Sequence, residues 1–220
     1  MKKSVPLLAL SLLTTLIILS GNVFTATTVV AQQTLSILTG AKTGLYYQAA
    51  IELNQVLKPD GFTLKIQESP GSFNNLKELG SGNGDLAFAQ QDAFRLLKGV
   101  TDQNLAQLAE NVDVFAPVNH EVIHIVVNQA SGIKSLADLH GKVVAVGPED
   151  SGTYVSAILL YQLSNLDVTR ESLLLMSIQD ALAKVQTGEI DAAFYTAGVG
   201  APLVERDPSN RRLNVKTPTS

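Results

Sequence analysis

The 220 residues contain no cysteine. Disulfides are therefore excluded, and a core of this size does not need them. The same absence removes a cysteine nucleophile and the residue through which bacterial lipid anchors attach. Other catalytic signatures are equally scarce. No Gly-x-Ser-x-Gly elbow occurs, and no credible Ser-His-Asp set can be assembled. His120-Glu121-Val122-Ile123-His124 spells the His-Glu-x-x-His zinc pattern, which works only on a helix, where the two histidines share a face. Here the run passes into Ile125-Val126-Val127. On a strand the histidines stand about 13 Å apart, too far for one zinc at bond lengths of about 2 Å. Ser131-Gly132-Ile133-Lys134 matches Ser-x-x-Lys but lacks its companion motifs and reads as a turn. Neither metal nor cofactor is expected, and an enzyme reading has no residue to carry it.

Positive charge is also in deficit. Sixteen Lys and Arg face twenty Asp and Glu, a formal net charge of −4. An acidic, unclustered balance argues against nucleic acid, whose binding is driven by phosphate neutralisation. What is present begins with Lys2 and Lys3, an uncharged apolar run from Val5 to Leu19, and Val29-Val30-Ala31 before Gln32. This is the layout of a cleavable signal peptide over residues 1–31, with an apolar run of about 15 residues against the roughly 20 that span a membrane. Export to a periplasm, with no lipid anchor, is the expectation.

Beyond that segment, strand and helix signals alternate. Thr34–Thr39, Phe62–Gln67, Asp85–Ala89, Lys142–Val146 and Asp191–Tyr195 read as strands. Leu45–Leu57, Ser72–Leu79, Thr153–Leu163 and Ser177–Thr187 read as helices, and Ser135 with Asp138 as a capping box. The class is α/β, with mostly parallel sheets flanked by helices. The halves resemble each other. Gly44-Leu45-Tyr46 is matched by Gly152-Thr153-Tyr154, and Gly82-Asn83-Gly84-Asp85-Leu86-Ala87-Phe88 by Gly188-Glu189-Ile190-Asp191-Ala192-Ala193-Phe194. The shared Gly-x-x-Asp-x-Ala-Phe ends a helix, caps a turn with Asp and enters a sheet. Two similar lobes follow, residues 32–118 and 119–215 with a tail at 216–220, and a crossover near Phe115–Asn128.

Ligands of open α/β sheets bind beyond the carboxyl ends of the strands, where helices present free N–H groups. Three polar loops fall there: Gly40–Gly44, Gln90-Gln91-Asp92 and Gly147–Thr153. Ser151, Gly152 and Thr153 suit close approach of a backbone to an anion. Lys42, Lys65 and Arg95 face either the cleft or solvent, and spacing does not decide which.

At these loops the chain resembles the TRAP-associated extracytoplasmic immunogenic (TAXI) family of solute receptors. The resemblance rests on Gly44-Leu45-Tyr46-Tyr47, on Gly84-Asp85-Leu86-Ala87 running into Gln90-Gln91-Asp92, and on Gly132-Ile133-Lys134-Ser135-Leu136-Ala137-Asp138-Leu139 with Gly141–Gly147. Ser151-Gly152-Thr153 and Asp191-Ala192-Ala193-Phe194 complete it. It implies a two-lobed, type 2 periplasmic-binding-protein fold that closes on a small anionic solute, a glutamate-like amino acid or a dicarboxylate, and docks on a TRAP-type membrane permease. By position it implies Thr43, Tyr46, Gln90, Gln91, Ser151, Gly152, Thr153 and Tyr195 as cleft residues. Ser151 to Thr153 would hold a carboxylate, with Tyr46 and Tyr195 packing on the solute. Members of that family continue well past the second lobe, whereas this chain stops at Ser220. A first lobe short of strands, with exposed apolar surface, is therefore expected. The alternatives are a sensory or degenerate binding module and, less favoured, an enzyme on the same fold.

Overall fold

The computed structural model describes residues 32–168, 172–198, 203 and 211–213. The expected signal segment (1–31) and tail (216–220) lie outside the described residues. In the first lobe β1 (Gln33–Leu38), α1 (Leu45–Leu57), β2 (Phe62–Gln67), α2 (Ser72–Gly80), β3 (Leu86–Ala87), α3 (Gln91–Gly99) and α4 (Gln103–Glu110) follow in order. The second lobe holds β4 (Glu121–Val127), β5 (Val143–Ala145), α5 (Gly152–Leu163), β6 (Ser172–Leu174), α6 (Ile178–Thr187), β7 (Ala192–Gly198) and β8 (Arg211–Leu213). The Ser135 signature forms a 3-10 turn rather than an α-helix, with the Asp138 carboxylate accepting from the Ser135 N–H at 2.8 Å.

Two helices were not anticipated. Gln91–Gly99 is polar enough to read as a loop, yet Ala93 and Leu97, four residues apart, are fully buried on one face. The next helix starts at Asp102, whose carboxylate accepts from the N–H groups of Asn104 and Leu105 at 2.9 and 3.3 Å.

The first sheet has the order β2-β1-β3 and is wholly parallel, with β1 and β2 paired from Gln33↔Phe62 to Leu38↔Gln67. The second has the order β6-β5-β7-β4-β8. There the expectation of parallel pairing holds only for β6, β5 and β7, because β4 runs antiparallel to both β7 and β8. This strand arrives from the first lobe rather than through a strand-helix-strand crossover, so nothing forces it to be parallel.

The duplication read in the sequence recurs in the sheets, since β2-β1-β3 and β6-β5-β7 have the same order. The repeated aspartate does more than cap its own turn. Asp85 accepts from the Ser36 N–H (2.8 Å) and hydroxyl (2.7 Å) in β1. Asp191 accepts from the Val143 N–H (2.9 Å) at the head of β5. One carboxylate thus clamps β3 to β1 in the first lobe, and another clamps β7 to β5 in the second.

Packing explains the apolar run of β4. Ile125 and Val127 join Val144, Val146, Tyr161 and Phe194 on one face, while Val126 meets Ala181 and Val185 of α6 on the other. A third cluster joins Leu76, Ala93, Leu97, Ala109 and Val112 of the first lobe to Val155 of α5. Past the buried Val112, crossing residues 113–120 stay open to solvent, with Phe115 95% exposed. The first sheet has three strands among the described residues against five in the second.

These two phenylalanines test the packing. Phe194→Ala, at 1% exposure, should cost about 3–5 kcal/mol in urea unfolding, whereas Phe115→Ala should stay within about 0.5 kcal/mol of the parent.

Candidate functional site

The loops after β1 and β5 and the crossing strand β4 meet around a cavity of about 150 Å³ between the two sheets. Its most constrained wall is the start of α5. Gly147 has φ of +89°, and a Cβ there would stand 2.9 Å from both Ser151 Oγ and Thr153 Cβ, so only glycine fits. The buried Ser151 caps the helix, its hydroxyl oxygen accepting from the Tyr154 N–H at 3.0 Å. Thr153 Oγ1 accepts from the Thr196 N–H at 3.1 Å, which ties the helix start to β7. That leaves the N–H groups of Gly152 and Thr153 with no protein acceptor among the described residues, at the positive end of a twelve-residue helix.

The first lobe supplies the opposite wall. Gln90 Oε1 lies where a Gly152 side chain would begin, 1.4 Å from the position of a Cβ, with Ser72 Oγ at 2.7 Å from it. Ser72 Oγ in turn accepts from the Gln90 N–H at 3.1 Å. Thr43 Oγ1 accepts from Gln179 Nε2 at 2.8 Å, linking the loop before α1 to α6. Tyr46 stacks on Phe88 with ring centroids 5.2 Å apart and donates from its hydroxyl to Glu121 Oε2 at 2.9 Å. Burial, with the Glu121 charge behind it, pushes the Tyr46 phenol far above its ordinary range, so it remains a donor. Tyr195 is shifted in the same direction by the same two causes.

Polar contacts outside the cavity hold the lobes together. Lys77 Nζ meets Asp150 Oδ2 at 2.5 Å, the Asn74 N–H donates to the Asp150 carbonyl at 3.0 Å, and Ser156 Oγ donates to Asp92 Oδ2 at 2.5 Å.

Seven of the eight residues expected at the cleft line this cavity: Thr43, Tyr46, Gln90, Ser151, Gly152, Thr153 and Tyr195. Gln91 does not; it is exposed at the first position of α3. Lys42, Lys65 and Arg95 also lie outside the lining, and Lys42 pairs with Glu68 at 3.6 Å. The sequence reading missed Glu121, which it met only inside the zinc pattern. Its place at the head of the crossing strand was the available signal. His120 is exposed and His124 sits within β4, and the described residues contain no metal-holding cluster of three or more His, Cys, Asp or Glu side chains.

The profile of the NMT1-like family matches residues 37–214. Among solved structures, the chain is similar to the alkanesulfonate-binding protein SsuA from Xanthomonas axonopodis pv. citri bound to MOPS (TM-score 0.54, 19% identity, 84% of this chain and 61% of that one). It is also similar to the amino acid ABC transporter substrate-binding protein AbpA from Streptococcus pneumoniae bound to L-arginine (0.58, 17%, 84% and 76%). A third likeness is to the effector-binding domain of QuiR in complex with shikimate (0.57, 12%, 86% and 84%). The chain therefore has the two-lobed periplasmic-binding-protein fold, and it spans less than two thirds of the length of the sulfonate-binding protein. Among the described residues no helix is long and apolar enough to cross a membrane.

Glu121 couples stability to pH. Burial raises its carboxyl above the ordinary glutamate range, the Tyr46 hydrogen bond opposes this, and the Asp92 charge adds to the rise. The fold then binds the proton more tightly than the unfolded chain does. Stability attributable to this group falls as pH rises from the ordinary glutamate range through the raised value. Glu121→Gln should therefore raise the melting temperature at pH 7.5, and the gain should shrink towards zero below about pH 4. Thermal melts across that range check it.

Proposed function

The chain belongs to the NMT1-like family, and we propose that it is an extracytoplasmic solute-binding receptor that captures a small anionic solute and delivers it to a TRAP-type membrane permease. The observation that carries this reading is the start of α5, where Gly152 and Thr153 line a cavity between two lobes and their N–H groups have no protein acceptor among the described residues. Such a helix end holds a carboxylate without needing a cation. The solute is a glutamate-like amino acid or a dicarboxylate. Residues 32–118 and 119–215 form the lobes, followed by a short tail at 216–220. A signal peptide over residues 1–31 is cleaved on export, leaving a periplasmic protein with no lipid anchor. Likeness to proteins that bind an alkanesulfonate, L-arginine or shikimate supports capture of a small polar solute.

A second reading is favoured by one observation. The likeness to the QuiR effector-binding domain supports a sensory module that reports solute to a membrane partner. Transport of solute into membranes carrying the permease separates the two readings.

Capture itself is tested by melting the full chain with a panel of amino acids and dicarboxylates. A cognate acid at a hundredfold excess over its Kd should stabilise the fold by about 2.7 kcal/mol. Gly152→Ala puts a methyl group where Gln90 Oε1 now lies and should weaken that acid by about tenfold or more in calorimetry. A cooperative melt that no carboxylate shifts would overturn the reading.

A further inference from the structure

Glu121 is the one charged side chain in the cavity lining among the described residues. One of its oxygens, Oε2, accepts from the Tyr46 hydroxyl at 2.9 Å. Oε1 has no hydrogen-bond partner, and no lysine or arginine pairs with the group, among the described residues. Lys42, Lys77, Lys142 and Lys184, which pair with Glu68, Asp150, Asp191 and Glu189, all lie outside the lining. Burying a carboxylate without a cation is costly, and it repels any second anion placed beside it. The cavity is thus polarised, with backbone donors at the start of α5 and a lone carboxylate at the head of β4.

A dicarboxylate satisfies the first wall only and is opposed by the second. A solute carrying one carboxylate and one ammonium satisfies both. Resting on the receptor reading above, we infer that the site selects a zwitterion, an amino acid whose ammonium is received by Glu121 Oε1 while its carboxylate lies at Gly152 and Thr153. The half-buried Tyr46 and Tyr195 flank that ammonium site. Tyr46 fixes the carboxylate in place through Oε2 and leaves Oε1 to the solute. Glu121 is thus the residue that separates amino acids from dicarboxylates at this site.

Calorimetry on the full chain at pH 7.5 tests it with pairs of acids that differ only in the amine, such as L-glutamate with glutarate and L-alanine with propionate. At least one amino acid should bind, and its deaminated partner should bind at least about a hundredfold more weakly. Glu121→Gln should weaken the amino acid by about tenfold or more and narrow the gap to its partner. A retained cooperative melt shows that the variant is folded. Tyr46→Phe, which removes only the hydrogen bond to Oε2, should weaken the amino acid by a smaller factor. Glutarate or propionate binding as tightly as its amino acid overturns the inference and leaves the receptor reading standing. So does an unchanged amino-acid affinity in Glu121→Gln. Failure of every acid in both series overturns both.

Discussion

The antiparallel ladder between β4 and β7, from Glu121↔Gly198 to Val127↔Ala192, is the interaction on which the rest of the structure depends. One end of β4 is core. Ile125, Val126 and Val127 are at most 1% exposed and are covered on both faces of the second sheet. The other end carries Glu121 into the cavity beside the first lobe. A strand anchored over its final three residues by burial holds its opening residue in register, so the cavity carboxylate is positioned by packing some distance from it. A slip of one residue would turn Ile125 and Val127 to the face of Val126 and also take Glu121 from the cavity. Core and site share one register.

The helix α5 is constrained from two sides in a comparable way. Ala157 and Tyr161 face its own sheet, while Val155 packs with Leu76 and Leu97 of the first lobe. Its start is held by Gly147, by the Ser151 cap and by Thr153 bound to β7. Two N–H groups therefore remain aimed by a framework with little freedom, which is the condition under which backbone dipoles bind an anion without reorganising. Glu121 stands on the other side of the balance. With no cation beside it among the described residues, this half-buried carboxylate opposes stability, the pattern expected where a functional group is held at a cost in stability.

Much of this was legible in the sequence. The limits of α1 and β2 follow from apolar periodicity and from Gly and Pro at their ends, since both elements bury a single face. The duplicated Gly-x-x-Asp-x-Ala-Phe exposed the repeat, and the three strand-exit loops contain five of the expected residues that line the cavity, Thr43, Gln90, Ser151, Gly152 and Thr153. What escaped depends on distant partners. Gln91–Gly99 became a helix because Ala93 and Leu97 found Leu76 and Val155, which no local pattern encodes. The direction of β4 is set by where the chain crosses between lobes. Glu121 was hidden for a chemical reason: beside two histidines it reads as a metal motif, and only its contact with Tyr46 from 75 residues away shows its place.

The duplication also accounts for the polarity of the cavity. Gly44-Leu45-Tyr46 and Gly152-Thr153-Tyr154 occupy the same place in the two lobes, each at the start of a helix after the first strand. Their tyrosines have diverged. Tyr154 packs against the second lobe's core, and the helix it opens is capped by Ser151. Tyr46 leans instead on Phe88 and gives its hydroxyl to Glu121, and its helix has no side-chain cap. Two equivalent helix starts facing one cleft would present the same positive end twice and would favour a ligand with two anionic ends. With Glu121 set beside one of them by the crossing strand, that end becomes an acceptor while the other remains a donor. An asymmetric site thus arises on a repeated framework through one crossing strand and one tyrosine.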